Sequence, residues 1–127
     1  EIRERFLSGK GVIFAEGQDE EKKIIQARWI IESLTESVEK IHIENAIIKG
    51  TFDFSQATNL IHHIDDTDLD ANKKRKLRHQ GIKKIVIMET DIRIIQSRIE
   101  GSANFRGAIF KGFVGFKDAI FEGEADF

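Results

Sequence analysis

The chain has 127 residues, 40% hydrophobic and 33% charged, which suits one globular domain and not a disordered segment. Its net charge of −2 supplies no global field toward nucleic acid or an anionic membrane, and the lack of cysteine excludes a disulfide framework and thiol chemistry. No apolar run approaches the ~18 residues of a membrane-spanning helix, and the opening EIRERFLSGK lacks the apolar stretch of a signal peptide. A cytoplasmic location is therefore expected. With no initiator methionine and an end inside a repeat, the chain reads as a fragment, truncated at its C-terminus.

The stretch DEEKKIIQARWIIESLT, residues 19–35, is predicted to be a helix. Asp19 suits its N-cap, and Glu20 and Glu21 suit the positive end of the helix dipole. Ile24, Ala27, Ile31 and Leu34 share one face with Ile30 beside them, and Ile25 and Trp29 widen the stripe. A different rhythm follows. IENAIIKGTFDF (43–54) falls into the frame of IIQSRIEGSANF (94–105), FRGAIFKGFVGF (105–116) and FKDAIFEGEADF (116–127). The frame breaks between Leu60 and Ile82. DDTDLDANKKRKLRHQG (65–81) is predicted to be an insertion: an acidic loop, a helix to about Gln80, and Gly81 closing it. KIVIM (84–88) returns to the frame.

From Met88 onward, large apolar residues stand at 94, 99, 105, 110, 116, 121 and 127, alternating steps of six and five. A five-residue step turns a helix about 140° off its face. The same step flips a strand to its other face. A path that bends every five or six residues keeps all these side chains on one axis. Gly101, Gly112 and Gly123 recur eleven apart, as do Ser97, Ala108 and Ala119.

The segments ANFRG, AIFKG, AIFEG and ADF resemble the A-(D/N)-(L/F)-x-x motif of the pentapeptide-repeat family. The resemblance covers 88–127 well and 41–54 fairly, and leaves out 1–40 and 65–81. It implies a mainly β fold, a right-handed quadrilateral β-helix with one repeat per side. The inward central residues are then Ile43, Ile48, Phe54, Met88, Ile94, Ile99, Phe105, Phe110, Phe116 and Phe121, with Phe127 opening a further coil. Small or apolar residues two earlier, such as Ala46, Ala103, Ala108, Val114, Ala119 and Ala125, fill the bore between them. Charged residues after each centre, among them Glu44, Lys49, Glu100, Arg106 and Lys117, face solvent. Glycine at the added sixth position suggests a bulged corner with unusual backbone angles. Centres 43, 48, 54 and 60 make one coil, 82, 88, 94 and 99 a second, and 105, 110, 116 and 121 a third. A solenoid has an open apolar first coil that must be covered. Residues 1–40 are therefore expected to be an N-terminal helical cap, with Phe6, Leu7, Val12 and Phe14 helping. Residues 41–127 form the solenoid, with its insertion at about 65–81. The competing reading of the first helix is a partner-binding face.

Candidate chemistry is sparse. The Asp65–Asp70 run resembles half a calcium loop, but Ala71 and Leu77 stand where the loop needs Gly and Glu. His62 and His63 point to opposite faces of a strand and do not share a metal. KKRKLRH (73–79) is the one strong basic cluster, and Lys73, Lys74, Arg75, Lys76 and Arg78 are the candidate partner contacts. The bland reading is a solvated helix, since no aromatic residue is interleaved and the preceding aspartates partly neutralise it. SGKG (8–11) lacks the spacing of a phosphate loop, and no nucleophile elbow is present. No enzyme activity, cofactor or metal is expected.

Three functions compete. The first is a non-catalytic scaffold or protein–protein interaction module that uses the insertion and outer charged faces, with end-to-end homodimerisation as a further expectation. The second, implied by the family resemblance, is a DNA mimic that inhibits gyrase. Residues 88–127 carry seven acidic against five basic residues, a weak imitation of a duplex with one charge per ~1.7 Å. Nucleic acid itself is not expected as a partner. The third is a sensor or spacer within a larger membrane or defence protein.

Overall fold

The computed structural model describes residues 4–5 and 10–126. Short strands step from sheet to sheet in sequence and pair, with one exception, with strands from another turn of chain. The first side holds β1 (Val12–Ile13), β3 (Lys40–Glu44), β8 (Asp91–Ile95) and β12 (Val114–Gly115). The second holds β2 (Ile24–Gln26), β4 (Ile47–Lys49), β9 (Arg98–Ile99) and β13 (Ile120–Phe121). The third holds β5 (Phe52–Asp53), β10 (Ala103–Asn104) and β14 (Ala125–Asp126). The fourth holds β6 (Ile61–His63), β7 (Lys84–Met88) and β11 (Ala108–Phe110). The strands thus wind as a four-sided β-helix. Two 9-residue helices accompany them among the described residues, α1 (Ala27–Thr35) and α2 (Ala71–His79).

The register defines the coil. Ala108 lies opposite Val86, Val114 opposite Ile92, Ile120 opposite Arg98 and Ala125 opposite Ala103, the same offset along the chain on every side. One coil below, Ile41 faces Ile92, Ile47 faces Arg98 and Phe52 faces Ala103, a longer offset that is again uniform. The excess length is one excursion on the fourth side, where β6 doubles back antiparallel to β7.

Ile43, Ile48, Phe54, Met88, Ile94, Ile99 and Phe105 are buried in one core. Phe110, Phe116 and Phe121 are half-buried and pack against it. They sit in the last described coil, with no described coil stacked beyond them, and Phe127 lies outside the described residues. The rings form a continuous stack: Phe52–Phe54 at 4.9 Å, Phe54–Phe105 at 5.1 Å, Phe105–Phe116 at 5.7 Å and Phe116–Phe121 at 5.4 Å between centroids. Ser97 brings a hydroxyl into the bore and satisfies it, accepting from the Ala46 N–H at 3.1 Å and donating to the Ile95 carbonyl at 3.0 Å.

Three sequence expectations need correction. The helix expected over 19–35 is a 3-10 turn at Glu20–Lys23, then β2, then α1. Strand pairing with β4 wins over the helical period at Ile24–Gln26, because it satisfies backbone groups along β4 and buries Ile25 completely. Asp19 precedes the 3-10 turn, and α1 starts from Gln26 with no side-chain cap. Residues 1–40 are therefore not purely helical: β1 and β2 extend the first and second sides below β3 and β4. Val12 is buried and Phe14 packs on the core, while Phe6 and Leu7 lie outside the described residues.

Ile82 is not a centre of the bore. It belongs with Ile64 and Ile85 to a second apolar cluster, outside the fourth side. The coils therefore start from Met88 and from Phe110, both on the fourth side.

The recurrent glycines answer to crowding more than to backbone angles. Gly50 has φ +92°, but Gly101 and Gly123 do not adopt positive φ. A Cβ on Gly101 would sit 2.1 Å from the Gly50 carbonyl oxygen, and one on Gly123 2.6 Å from that of Gly101. The left-handed corners belong instead to Asn45, Gln96 and Asp118, with φ of 58°, 50° and 56°, stacked at the junction of the first and second sides.

A graded cost of ring deletion follows. Phe54→Ala should lose about 3–5 kcal/mol in a urea melt, whereas half-buried Phe121→Ala should lose about 1–2. Gly101→Ala should cost about 1–3 kcal/mol or more through overpacking against the coil below. A Gly101→Ala protein as stable as the parent would show that the coils do not approach this closely.

Candidate interaction arm

The excursion is held rigidly at both ends. Asp70 caps α2, its Oδ1 accepting from the Lys73 N–H at 2.8 Å. At the other end Gly81 adopts φ +78°. The Ile82 N–H then bonds the Leu77 carbonyl, and the Gly81 N–H bonds that of Arg78, both at 2.9 Å. This closure brings Ile82 against Leu77 in the second cluster. The Arg106 guanidinium donates to the exposed Gln80 carbonyl, setting a cation at the negative end of the helix.

β7 explains why the sequence runs KIVIM without alternation. Val86 and Met88 face the bore, while Ile85 and Ile87 face the arm, where Ile64, Leu69, Leu77, Ile82 and Ile109 join them. A strand buried on both faces reads as a continuous apolar run.

The basic cluster is divided by the helix. Arg78 hydrogen-bonds Asp65. That bond is the main reason the Asp65 carboxyl titrates below its ordinary 3.8; desolvation opposes it, and the charges of Arg78, His63 and Lys74 add to it. Lys73, Arg75 and Lys76 are exposed, and among the described residues none has a side-chain hydrogen bond or ion pair. The arm, residues 61–84, carries seven Lys and Arg against four Asp, a balance of +3. The remaining thirteen basic and eighteen acidic residues balance at −5, so the arm is a positive projection on a negative body. His62 and His63 stay apart: His63 Nδ1 lies 3.5 Å from Asp65, and His62 borders a separate hollow. Among the described residues no group of three or more His, Cys, Asp or Glu is placed to hold a metal.

Three other surface features have no local pattern in the sequence. On the second side Arg98 meets Glu20 at 3.3 Å, Glu100 at 2.8 Å and Glu122 at 3.4 Å, tying successive coils together, and Lys49 joins Glu100 at 3.7 Å. The hydrogen bond from Arg98 is the main reason the Glu100 carboxyl lies below its ordinary 4.5, with burial opposing it. On the first side Arg93 lies over the exposed Phe113 ring, 3.9 Å from its centroid. A hollow of about 620 Å³ opens where the fourth side meets the first, floored by Leu34, Val38, Leu60 and Met88 and rimmed by Glu39, Glu89 and Lys111.

Comparison with known proteins bears on the last part of the chain. Residues 90–127 match the family model described as Pentapeptide repeats (9 copies), and this segment is a run of such repeats. No curated protein and no solved structure matches the chain.

The lowered Glu100 titration has a definite sign. Its stabilising share is present above about 4.5 and is lost as pH falls through the lower folded value. Urea melts between pH ~5 and ~2 should therefore show a shallower loss of stability for Glu100→Gln than for the parent. Identical slopes would mean that the Arg98 cluster contributes nothing.

Proposed function

We propose that this chain, with pentapeptide repeats over residues 90–127, is a non-catalytic scaffold whose projecting arm contacts a protein partner. One observation carries the reading. A solenoid with a constant register is interrupted once, by an anchored arm that presents unpaired cations. Rigid display of a charged element on a repeat framework is what an interaction module needs.

In this reading α1 is the cap of the first coil. Its buried face, Ala27, Ile30, Ile31 and Leu34, joins the main core, and Trp29 packs against that core. β1 and β2 supply the rest of the cover. End-to-end stacking of a second copy on the last described coil, which carries the half-buried Phe110, Phe116 and Phe121, belongs to the same reading. Duplex mimicry gains no support from the outer charges. Glu20, Glu100 and Glu122 converge on Arg98, so these anions are already paired with a cation.

Replacing residues 66–80 by a short Gly-Ser linker should leave the far-UV spectrum of the β-helix nearly unchanged, should lower its melting point because Leu69 and Leu77 no longer cover Ile82 and Ile85, and should strip the partner from a pull-down. Undiminished recovery of the same partner would remove the arm from the reading. Trp29→Ala tests the cap separately: an uncovered first coil should aggregate, whereas loss of a binding face should leave the protein soluble.

A further inference from the structure

We propose that the groove between α2 and the corner joining the third and fourth sides takes a short acidic protein segment with an apolar anchor residue. This deepens the reading of the arm as a contact element and rests on it. The groove encloses about 470 Å³, within the range of specific binding clefts. Leu77, Ile82, Ile109, Phe105 and Ala108 make its apolar lining. Gln80, Arg106 and Asp126 are its polar groups, and the Arg106 guanidinium is already committed to the Gln80 carbonyl.

Helix geometry decides which cations border the groove. At 100° per residue, Lys73 and Lys76 stand one turn before Leu77 and Gln80, on the flank that lines it. Lys74 and Arg78 fall on the other flank, where Arg78 is bonded to Asp65. Arg75 points away from both. The cluster read in sequence as one patch is therefore two. One is neutralised by the arm's own aspartate. The other consists of two exposed ammonium groups, unpaired among the described residues, on the flank of α2 whose last turn lines the cleft.

That combination fits carboxylates flanking an apolar side chain. Burial of the anchor supplies affinity, and the two lysines fix orientation and speed association. A nucleic acid fits less well. The arm carries no aromatic ring to stack on a base, Asp65, Asp66, Asp68 and Asp70 crowd the start of α2, and Asp126 stands in the groove wall.

The test is fluorescence anisotropy on the intact chain, with a fluorescein-labelled peptide alternating glutamate and leucine as the probe. Saturable binding should weaken about tenfold or more in Lys73→Glu/Lys76→Glu and less than about threefold in Arg75→Glu. All three positions are exposed, so melting points should not move. On the unmutated protein, ¹⁵N chemical-shift mapping should place the peptide at Leu77, Gly107 and Ile109, which keeps the test open should the double variant fail to fold. An equal loss in Arg75→Glu, shifts confined to other surfaces, or no binding would overturn the proposal. So would tighter binding of an oligothymidine strand, which would make the partner a nucleic acid. Self-association abolished by the same two substitutions, read by sedimentation velocity, would make it a second copy. If the peptide fails while deletion of 66–80 still strips a partner from the pull-down, the scaffold reading stands and this one falls.

Discussion

The closeness of neighbouring coils governs everything else in this fold. Each coil lays its strands in register on the coil below, and at the corner after the second side the backbones approach until a single methylene has no room. Gly101 and Gly123 are the result, each set against the carbonyl of the glycine one coil below, Gly50 and Gly101. Close stacking keeps the ladders in hydrogen-bonding contact, and it brings rings from successive coils to 5.1–5.7 Å between centroids. It also fixes coil length. All four sides keep one common offset between the last two described coils, so an extra residue on any side would move every later strand out of register.

The arm is the one departure that this constraint tolerates, and it does so by leaving and re-entering at neighbouring points. β6 pairs with β7, so the added chain begins and ends on the same side. The cost is that β7 loses its solvent face. The protein meets it with a second apolar cluster built from Ile64, Ile82 and Ile85, and that cluster in turn holds α2 in place. Display of the basic residues thus depends on the apolar outer face of a bore strand. This link between packing and function explains why the arm is firmly mounted although its helix has only 9 residues, too short for stability alone.

Much of the solenoid was legible because its period is its physics: large residues at steps of five and six have only one common axis. What could not be read were decisions made between distant segments. Residues 24–26 fit a helical stripe as well as a strand, and only β4, well beyond the end of α1, decides between them. Ile82 keeps the six-residue step before Met88, yet the Gly81 closure carries it under α2. The glycine column was visible as spacing, but its cause is the carbonyl of another coil. Arg98 draws Glu20 from 78 residues upstream, a pairing no local window contains. The basic cluster was legible as composition. Its division into a neutralised and a free flank required the position of Asp65.

The two register offsets also carry a kinetic meaning. Pairing β12 with β8 closes a loop of a single coil, whereas pairing β8 with β3 closes one lengthened by the whole arm. Chain entropy separates these by only about 0.7 kcal/mol, since closure grows with the logarithm of length. Pairing of β6 with β7 ties off the added chain and removes that difference. The longer search then contracts to the length of an ordinary coil. The element that faces outward in the finished protein is thereby also the one whose closure shortens the search that joins its two halves.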